Sequence, residues 1–269
     1  LREIRLNVAL RMEETEVPDQ FRVLGRGELQ FAILIEQMRR EGFEFMVGKP
    51  LVLFKNDENG QRLEPFERAV LDLPESSASD VTSLLQQRRG VLMSYEQMSP
   101  GVDKSKSRVR LTFEIPTRGL LGIRSKYLTL TRGEGLFNTE FMGYSPTKGE
   151  IFHRINGALI SDREGTSLEY ALRGLEDRGI FFIQPGEKVY EGMIVGEHNR
   201  ENDLNVNACR AKKLSNMRAS GKDENVVLTP VTPMTLERAM EFIRDDELLE
   251  VTPQSIRLRK AILPANQRS

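Results

Sequence analysis

The sequence predicts an α+β protein: two ferredoxin-like α/β sandwiches, the first of them truncated, followed by a strand-rich α+β C-terminal domain. Three features lead to this prediction. Apolar residues alternate along segments such as 108–116, they recur at helical spacing along segments such as 28–40, and after residue 147 they form short runs between glycine-rich or polar turns. The corresponding domain boundaries are 1–50, 51–146 and 147–269.

The first domain is predicted to hold strands at 7–14 and 21–24, a helix from about Glu28 and a closing strand at 43–47. The helix has an apolar stripe and ends near Gly42, because glycine readily adopts the left-handed conformation that follows a helix. The stripe consists of Phe31, Leu34, Ile35 and Met38. This succession is most of a βαββαβ unit without its first strand. The chain opens at helical spacing with no Met and no capping residue, so we expect a piece of a longer protein.

The second domain repeats the same rhythm of strands and helices. Asn59-Gly60 is predicted to form a type I′ hairpin turn, because both residue types tolerate the positive φ that this turn requires. The strands of this hairpin are predicted at 51–55 and 62–73, and the remaining elements are a helix from about Ser79 to Gly90, a strand at 107–116, a helix from Thr117 to Gly133 and a strand at 135–144. In the third domain, short strands surround one amphipathic helix from about Thr235.

Composition restricts the possible partners. Lys and Arg number 39 and Asp and Glu 40, so the charge of the whole molecule predicts no partner. The longest apolar runs are far too short to cross a bilayer, and we expect no membrane partner. A single cysteine, Cys209, excludes an internal disulfide framework and fits a reducing cytoplasm.

Motifs for catalysis and cofactor binding are missing from the sequence. It has no phosphate-cradling glycine loop, and its Asp57–Gly60 and Asp162–Gly165 segments have the composition of turns. His153 and His198 lack the neighbours that a zinc site needs, so no metal and no cofactor are expected. Exposed beside five cations, Cys209 would have a lowered pKa, but no histidine is near it in sequence to act as a base. An enzyme that uses Cys209 or His198 stays as an alternative hypothesis.

Charge is distributed unevenly along the chain. Residues 208–222 carry five Lys or Arg and no acid, residues 102–132 carry eight against two acids, and residues 223–250 carry eight acids against two Arg. Segregation of this kind concentrates positive potential instead of cancelling it locally. We interpret 208–222 as a loop that contacts RNA phosphates, with a merely solvated loop as the alternative. Its proposed contact residues are Arg210, Lys212, Lys213, Asn216, Arg218 and Lys222.

Two further features leave alternatives open. Arg88-Arg89 either complements the dipole at the end of a helix or contacts RNA. The acidic stretch 241–250 allows a third hypothesis, an adaptor that binds a protein partner.

Three segments resemble the C-terminal domains of the elongation factor G superfamily of translational GTPases. GRGELQFAILIEQMRREGFE resembles the helix of its third domain, and PESSASDVTSLLQQRRG and IPTRGLLGIRSKYLTLTRGEG resemble the two helices of its fifth domain. Residues from Arg178 to Glu224 and from Leu228 to Lys260 resemble the C-terminal domain of the BipA/TypA branch. The resemblance spans essentially the whole chain.

The resemblance implies a ribosome-binding region of a cytoplasmic translational GTPase implicated in large-subunit assembly and stress adaptation. The implied partners are large-subunit ribosomal RNA and the acceptor end of an A-site tRNA, and the protein is expected to be a monomer off the ribosome. GTP and magnesium would belong to an N-terminal domain that these residues do not contain, so we expect no enzymatic activity here. The residues implied to face ribosomal RNA from the second domain are Arg88, Arg89, Arg118 and Arg124.

Overall fold

The computed structural model describes residues 9–99, 107–151, 154–211 and 230–268. The chain divides into two compact units. Unit 1 combines Leu1–Lys49 with Arg154–Ser269, and unit 2 is Pro50–His153. None of the described helices has the length and apolar character needed to span a bilayer.

The described strands, in chain order, are β1 (Arg11–Glu14), β2 (Phe21–Leu24), β3 (Phe45–Val47), β4 (Lys55–Asn56), β5 (Arg62–Pro74), β6 (Val91–Ser99), β7 (Arg108–Pro116), β8 (Leu136–Pro146), β9 (Ala158–Ser161), β10 (Gly165–Thr166), β11 (Gly179–Phe181), β12 (Lys188–Val189), β13 (Met193–His198), β14 (Leu204–Val206), β15 (Glu247–Val251) and β16 (Ile256–Lys260). The described α-helices are α1 (Glu28–Arg40), α2 (Ala78–Gln87), α3 (Thr117–Leu120), α4 (Ile123–Leu130), α5 (Glu169–Arg173) and α6 (Leu236–Phe242), and short 3₁₀ helices lie at Glu75–Ser77, Glu176–Arg178 and Ala265–Gln267. The predicted α+β class is confirmed.

Unit 2 contains an antiparallel sheet in which β5 lies between β7 and β8, and β6 pairs with the far side of β7. β4 pairs antiparallel with the start of β5 and is the part that forms of the strand predicted at 51–55. With α2 between β5 and β6, and α3 and α4 between β7 and β8, this is the βαββαβ order of a ferredoxin-like sandwich. Alternation along β7 places every second side chain in the core. These side chains, from Val109, Leu111, Phe113 and Ile115, are fully buried.

The predicted helix from Thr117 to Gly133 is wrong in its continuity, because it is broken into α3 and α4. Gly122 adopts a left-handed conformation with φ of 66°, and Leu121 before it is extended at ψ of 126°. Ile123 and Tyr127 on α4 still pack into the core, as their spacing predicts.

The predicted turn type at Asn59-Gly60 is also wrong. A type I′ turn needs positive φ at both residues, and here Gly60 has φ of 79° whereas Asn59 is not in that region. The connection between β4 and β5 is longer and is held by the carboxylate of Asp57, which accepts hydrogen bonds from the backbone N–H groups of Asn59 (2.9 Å) and Gln61 (2.7 Å).

Unit 1 contains a seven-stranded sheet with the order β14-β9-β13-β16-β15-β3, in which β11 also pairs with β13. Adjacent residues of the central strands face opposite sides of this sheet. Ile160 and Ile194 contribute to a core shared with α1 and α6, whereas Leu159 and Val195 contribute to a second core shared with α5. The sheet is therefore covered on both faces.

Residues 9–49 keep their predicted strands and helix. β1 pairs only with β2 among the described strands, and β3 lies at the edge of the large sheet, where Phe45 is opposite Val251 and Val47 is opposite Leu249. The closing strand of the first predicted domain thus shares a sheet with the C-terminal segment. The predicted boundaries of the three domains stay a prediction.

Candidate nucleic-acid interface

The predicted RNA-contacting residues of the basic stretch lie mostly outside the described residues. This holds for Lys212, Lys213, Asn216, Arg218 and Lys222. Arg210 is described and is exposed. It lines a groove in unit 1, and this groove brings together residues that are far apart in the sequence.

We call this feature the arginine groove. It has a volume of about 660 Å³ and is lined by Tyr170, Ala171, Arg173, Gly174, Leu175, Arg178, Leu204, Asn205, Val206, Asn207 and Arg210. These described lining residues include three exposed arginines and no carboxylate. Leu175 and Leu204 are half-buried and Val206 is buried, which gives the groove an apolar floor. Cations around an apolar floor favour a ligand that has both phosphates and flat rings.

Local packing holds the two walls of the groove in place. The N–H of Leu168 donates to the carbonyl of Ala208 (2.9 Å), which joins the residue before α5 to the chain two residues after β14. On α5, Leu172 is buried in the core, whereas Tyr170 and Arg173 are exposed. Residues three apart on a helix share a face, so the aromatic ring and the guanidinium are neighbours on the groove side.

The opposite wall continues from β14, where alternation buries Val206 and exposes Asn205. The Oδ1 atom of Asn205 accepts a hydrogen bond from the Nη2 of Arg268 (3.0 Å). This contact orients the amide of Asn205. Asn207 accepts from the N–H of Cys209 (3.0 Å), a turn that carries the chain toward Arg210.

The cations of the groove are available to a ligand. Within the described residues, every ion pair uses other side chains than those of Arg173, Arg178 and Arg210. Guanidinium groups outside ion pairs present planar donors that match phosphate oxygens in a two-point geometry. Three guanidinium groups without an ion pair in the described residues therefore line one groove of unit 1, although the whole chain is almost neutral.

In unit 2, Arg118 donates hydrogen bonds to a carboxylate and to backbone carbonyls of the same unit. Its Nε and Nη2 atoms donate to the carboxylate of Glu64, which is fully buried, and Nη2 also donates to the carbonyls of Lys148 (3.0 Å) and Gly149. The N–H of Lys148 returns a hydrogen bond to Glu64 (2.6 Å). Arg118 thereby attaches the segment after β8 to the start of β5.

Arg88 and Arg89 lie at the end of α2. Arg88 is buried, and its Nη1 donates to the carbonyl of Leu121 (3.2 Å), at the position where the helix break frees a backbone acceptor. Arg89 is exposed with φ of 67°, and its Nε donates to the carbonyl of Glu150 (3.3 Å). Arg88, Arg89 and Arg118 thus contact backbone carbonyls of their own unit, and their role in RNA binding stays a prediction.

Arg124 differs from these three arginines. It is exposed in the first turn of α4 and takes part in none of the ion pairs found in the described part of the chain. Of the four arginines predicted to contact RNA in unit 2, Arg124 has the environment most open to an external phosphate.

Cys209 and His198, the two described residues of the enzyme hypothesis, are half-buried and buried, respectively. Burial raises the pKa of the Cys209 thiol, Arg163 lowers it and Asp162 raises it, and the net result is a raised pKa. His198 is buried, and its Nδ1 lies 2.6 Å from the carbonyl of Asn202 in the turn after β13. His153 lies outside the described residues.

Acidic residues of the adaptor hypothesis are largely paired within unit 1. Glu247 is fully buried and contacts both Arg154 (2.7 Å) and Lys260 (3.0 Å), and Asp246 contacts Lys260 (2.7 Å). Glu250 accepts a hydrogen bond from the hydroxyl of Tyr190 (2.5 Å). Glu247 is therefore not part of an acidic surface, whereas the side chains of Asp245 and Asp246 are 81% and 65% exposed, and the adaptor hypothesis stays an alternative.

Sequence reasoning missed most of the arginine groove. Tyr170, Arg173 and Arg178 belong to a segment in which acids alternate with cations, so counting charges does not single them out. The available signal was a tyrosine three positions before an arginine, the spacing at which two side chains share one face of a helix.

Two protein families match this chain. The model for the elongation factor G C-terminus matches residues 61–155, and the model for the TypA/BipA C-terminal domain matches residues 156–265. Curated relatives carry the name "Large ribosomal subunit assembly factor BipA". The relative from Escherichia coli (strain K12) is 51% identical over 268 residues, which cover 99% of this chain and 43% of that protein. The relative from Synechocystis sp. is 49% identical over 259 residues, which cover 96% and 42%.

The relative from Haemophilus influenzae is 49% identical over 268 residues, which cover 99% of this chain and 42% of that protein. The chain therefore spans less than half the length of these relatives. A crystal structure from Thermus thermophilus aligns with 32% of this chain and 12% of its own length at 29% identity, with a TM-score of 0.29.

Proposed function

Because the chain belongs to the TypA/BipA family of translational GTPases, we propose that it forms the ribosome-binding region of such a protein. In this proposal it contacts large-subunit ribosomal RNA and the acceptor end of a tRNA in the cytoplasm, and it acts in assembly of the large subunit and in stress adaptation. GTP and magnesium are bound by the part of the longer protein that precedes these domains in the family. The chain itself contributes RNA binding and no catalytic step.

The observation that carries the proposal is the arginine groove. Three guanidinium groups that form no ion pair within the described residues lie together there, and Arg210 leads directly into the basic stretch that contains Lys212, Lys213 and Arg218. Phosphate contacts of this kind supply most of the sequence-independent affinity for nucleic acid. The relatives named as assembly factors of the large ribosomal subunit support the ribosome as the RNA partner.

The test is cosedimentation of the chain with large ribosomal subunits over a series of salt concentrations. In the triple variant Arg173→Ala, Arg178→Ala, Arg210→Ala we expect weaker binding, and a slope of log affinity against log salt that is lower by about 0.7 to 0.9 for each phosphate that is no longer neutralised. The melting temperature should stay unchanged because these side chains are exposed and form no ion pair in the described residues.

The matched control is Arg11→Ala, Arg22→Ala, Arg26→Ala, which removes the same charge from exposed positions in and next to the β1-β2 hairpin. If the two triple variants lose the same amount of affinity, the loss is caused by the change in net charge, and the groove is not the contact surface. Unchanged ribosome binding in the groove variant would refute the proposal.

A further inference from the structure

The arginine groove has features that a site for phosphates alone does not need. A flat cationic surface is sufficient to bind the backbone of a duplex. This groove instead has an apolar floor of Leu175, Leu204 and Val206, and one wall carries an aromatic ring. The combination matches the surfaces on which unpaired bases stack while cations hold the backbone.

Tyr170 is the residue that distinguishes the two kinds of ligand. Its side chain is 48% exposed although its neighbours on α5, Ala171 and Leu172, are buried. Since α5 is fixed to the core by these neighbours, the backbone that carries the ring is held in position. Arg173 lies one turn along the same helix, so a base on the ring has its phosphate within reach of a guanidinium.

Asn205 and Asn207, whose amides suit base edges, also line the groove. The contact between Arg268 and the Oδ1 of Asn205 leaves the amide nitrogen of Asn205 as a donor. Bases inside a duplex expose neither a stacking face nor a full hydrogen-bonding edge, whereas bases of an unpaired strand expose both.

We propose that the arginine groove binds a segment of single-stranded RNA, with one base stacked on Tyr170 and the adjoining phosphates held by Arg173, Arg178 and Arg210. This inference rests on the proposed function, because it takes RNA to be the ligand. It adds that this RNA is single-stranded and names Tyr170 as the residue that favours a single strand over a duplex.

The test uses the full chain and two fluorescent RNAs with nearly equal numbers of phosphates, an unstructured single strand of about sixteen nucleotides and a duplex of about eight base pairs. We expect the wild type to bind the single strand more tightly. Tyr170→Ala should lose about tenfold in affinity for the single strand and little for the duplex, because a stacked base contributes that order of affinity. Tyr170→Phe should keep the affinity because it keeps the ring.

The control is Tyr95→Ala, which removes a tyrosine of similar exposure (50%) from unit 2 and should leave both affinities unchanged. Equal binding of the single strand by wild type and Tyr170→Ala would overturn the inference, as would a preference for the duplex. The arginine triple variant keeps the two proposals apart. If it loses ribosome binding while Tyr170→Ala has no effect, the groove is an RNA site of the phosphate type only, and the inference alone fails.

Two further probes identify the source of the single strand. Deacylated tRNA and large-subunit particles free of tRNA are each titrated with wild type and Tyr170→Ala. Loss of affinity for one of them assigns the bound segment to tRNA or to ribosomal RNA and supports the inference. Unchanged affinity for both contradicts it.

Discussion

The carboxylate of Glu64 and the guanidinium of Arg118 form a two-point ion pair in unit 2, and the Glu64 side chain is fully buried. A buried carboxylate is tolerated only when its charge is compensated and its oxygens accept hydrogen bonds. Arg118 supplies the charge, and the N–H of Lys148 supplies a further donor. The pair therefore stabilises the junction of β5, α3 and the segment after β8.

Replacing Arg118 with Ala is expected to lower the free energy of unfolding of unit 2 by about 3 kcal/mol, because the Glu64 charge would stay buried without its partner. Urea denaturation, followed through the transition of unit 2, measures this change. Arg68→Ala is the control, since its pair with Glu140 is exposed on both sides (52% and 73%) and its loss should cost less than about 1 kcal/mol. Equal effects of the two substitutions would contradict the structural role of Arg118.

Lys260 is the second buried charge with a testable consequence. Its Nζ lies within hydrogen-bond distance of Asp203 (2.5 Å), Asp246 (2.7 Å) and Glu247 (3.0 Å), and the side chain is 3% exposed. Lys260→Met removes the cation that these carboxylates share, and we expect a loss of about 3 kcal/mol in the free energy of unfolding of unit 1. Thermal and urea unfolding at neutral pH measure it.

The pH dependence of stability follows from the same group of charges. Burial raises the pKa of Asp203, but hydrogen bonds from Lys260 and from the N–H of Ala158 outweigh it, so the pKa lies below its ordinary value of 3.8. Stability from this carboxylate is present above that value and is lost as pH falls below it. Burial lowers the pKa of Lys260, but the carboxylates, Glu247 first, raise it above 10.5. Its contribution is complete below that value and is lost as pH rises above it.

Melting temperatures across the pH range should therefore fall at both extremes in the wild type. The acid limb should become shallower in Lys260→Met, because Asp203 then lacks the partner that lowers its pKa. A parallel acid limb in the two proteins would show that other groups cause the acid sensitivity.

Cys209 is expected to react slowly with iodoacetamide at neutral pH. Its raised pKa leaves less thiolate than an ordinary cysteine has, and the thiolate is the reacting form. The rate should increase as pH rises through and beyond the ordinary value of 9.0. The same chain unfolded in urea is the reference. A faster reaction in the folded protein than in the unfolded one would restore the hypothesis of an activated thiol.

Regular elements could be predicted because their causes are local. The alternation along 107–116 specifies which side chains of β7 are buried, and the spacing of Phe31, Leu34 and Ile35 specifies the inward face of α1. The helix break was not predicted, because apolar spacing continues from Leu120 to Tyr127 across Gly122. Only the left-handed conformation of that glycine shows the interruption.

Contacts between residues that are far apart in the sequence could not be predicted from local patterns. The pairing of Val47 with Leu249 joins β3 to a strand near the other end of the sequence, and nothing in either segment identifies its partner. The arginine groove combines 170–178 with 204–210, and acids close to Arg173 and Arg178 in the sequence conceal the cations that the fold brings together. Charge counting detected Arg210 because its neighbours in sequence are also basic.

Arg124 and Arg88 allow a final prediction that separates binding from stability in unit 2. Arg124 is exposed, so Arg124→Ala should weaken association with large ribosomal subunits and lower its salt slope by about 0.7 to 0.9, with no change in melting temperature. Arg88 is buried and donates to the carbonyl of Leu121, directly after α3, so Arg88→Ala should reduce the free energy of unfolding by about 1 to 3 kcal/mol.

Cosedimentation and urea denaturation of both variants give the comparison. The wild-type affinity should be retained by Arg88→Ala at temperatures where unit 2 stays folded, because its guanidinium faces the protein interior. A variant of Arg88 that keeps its stability but binds ribosomes more weakly would make this side chain an RNA contact and would refute its assignment as the group that satisfies Leu121.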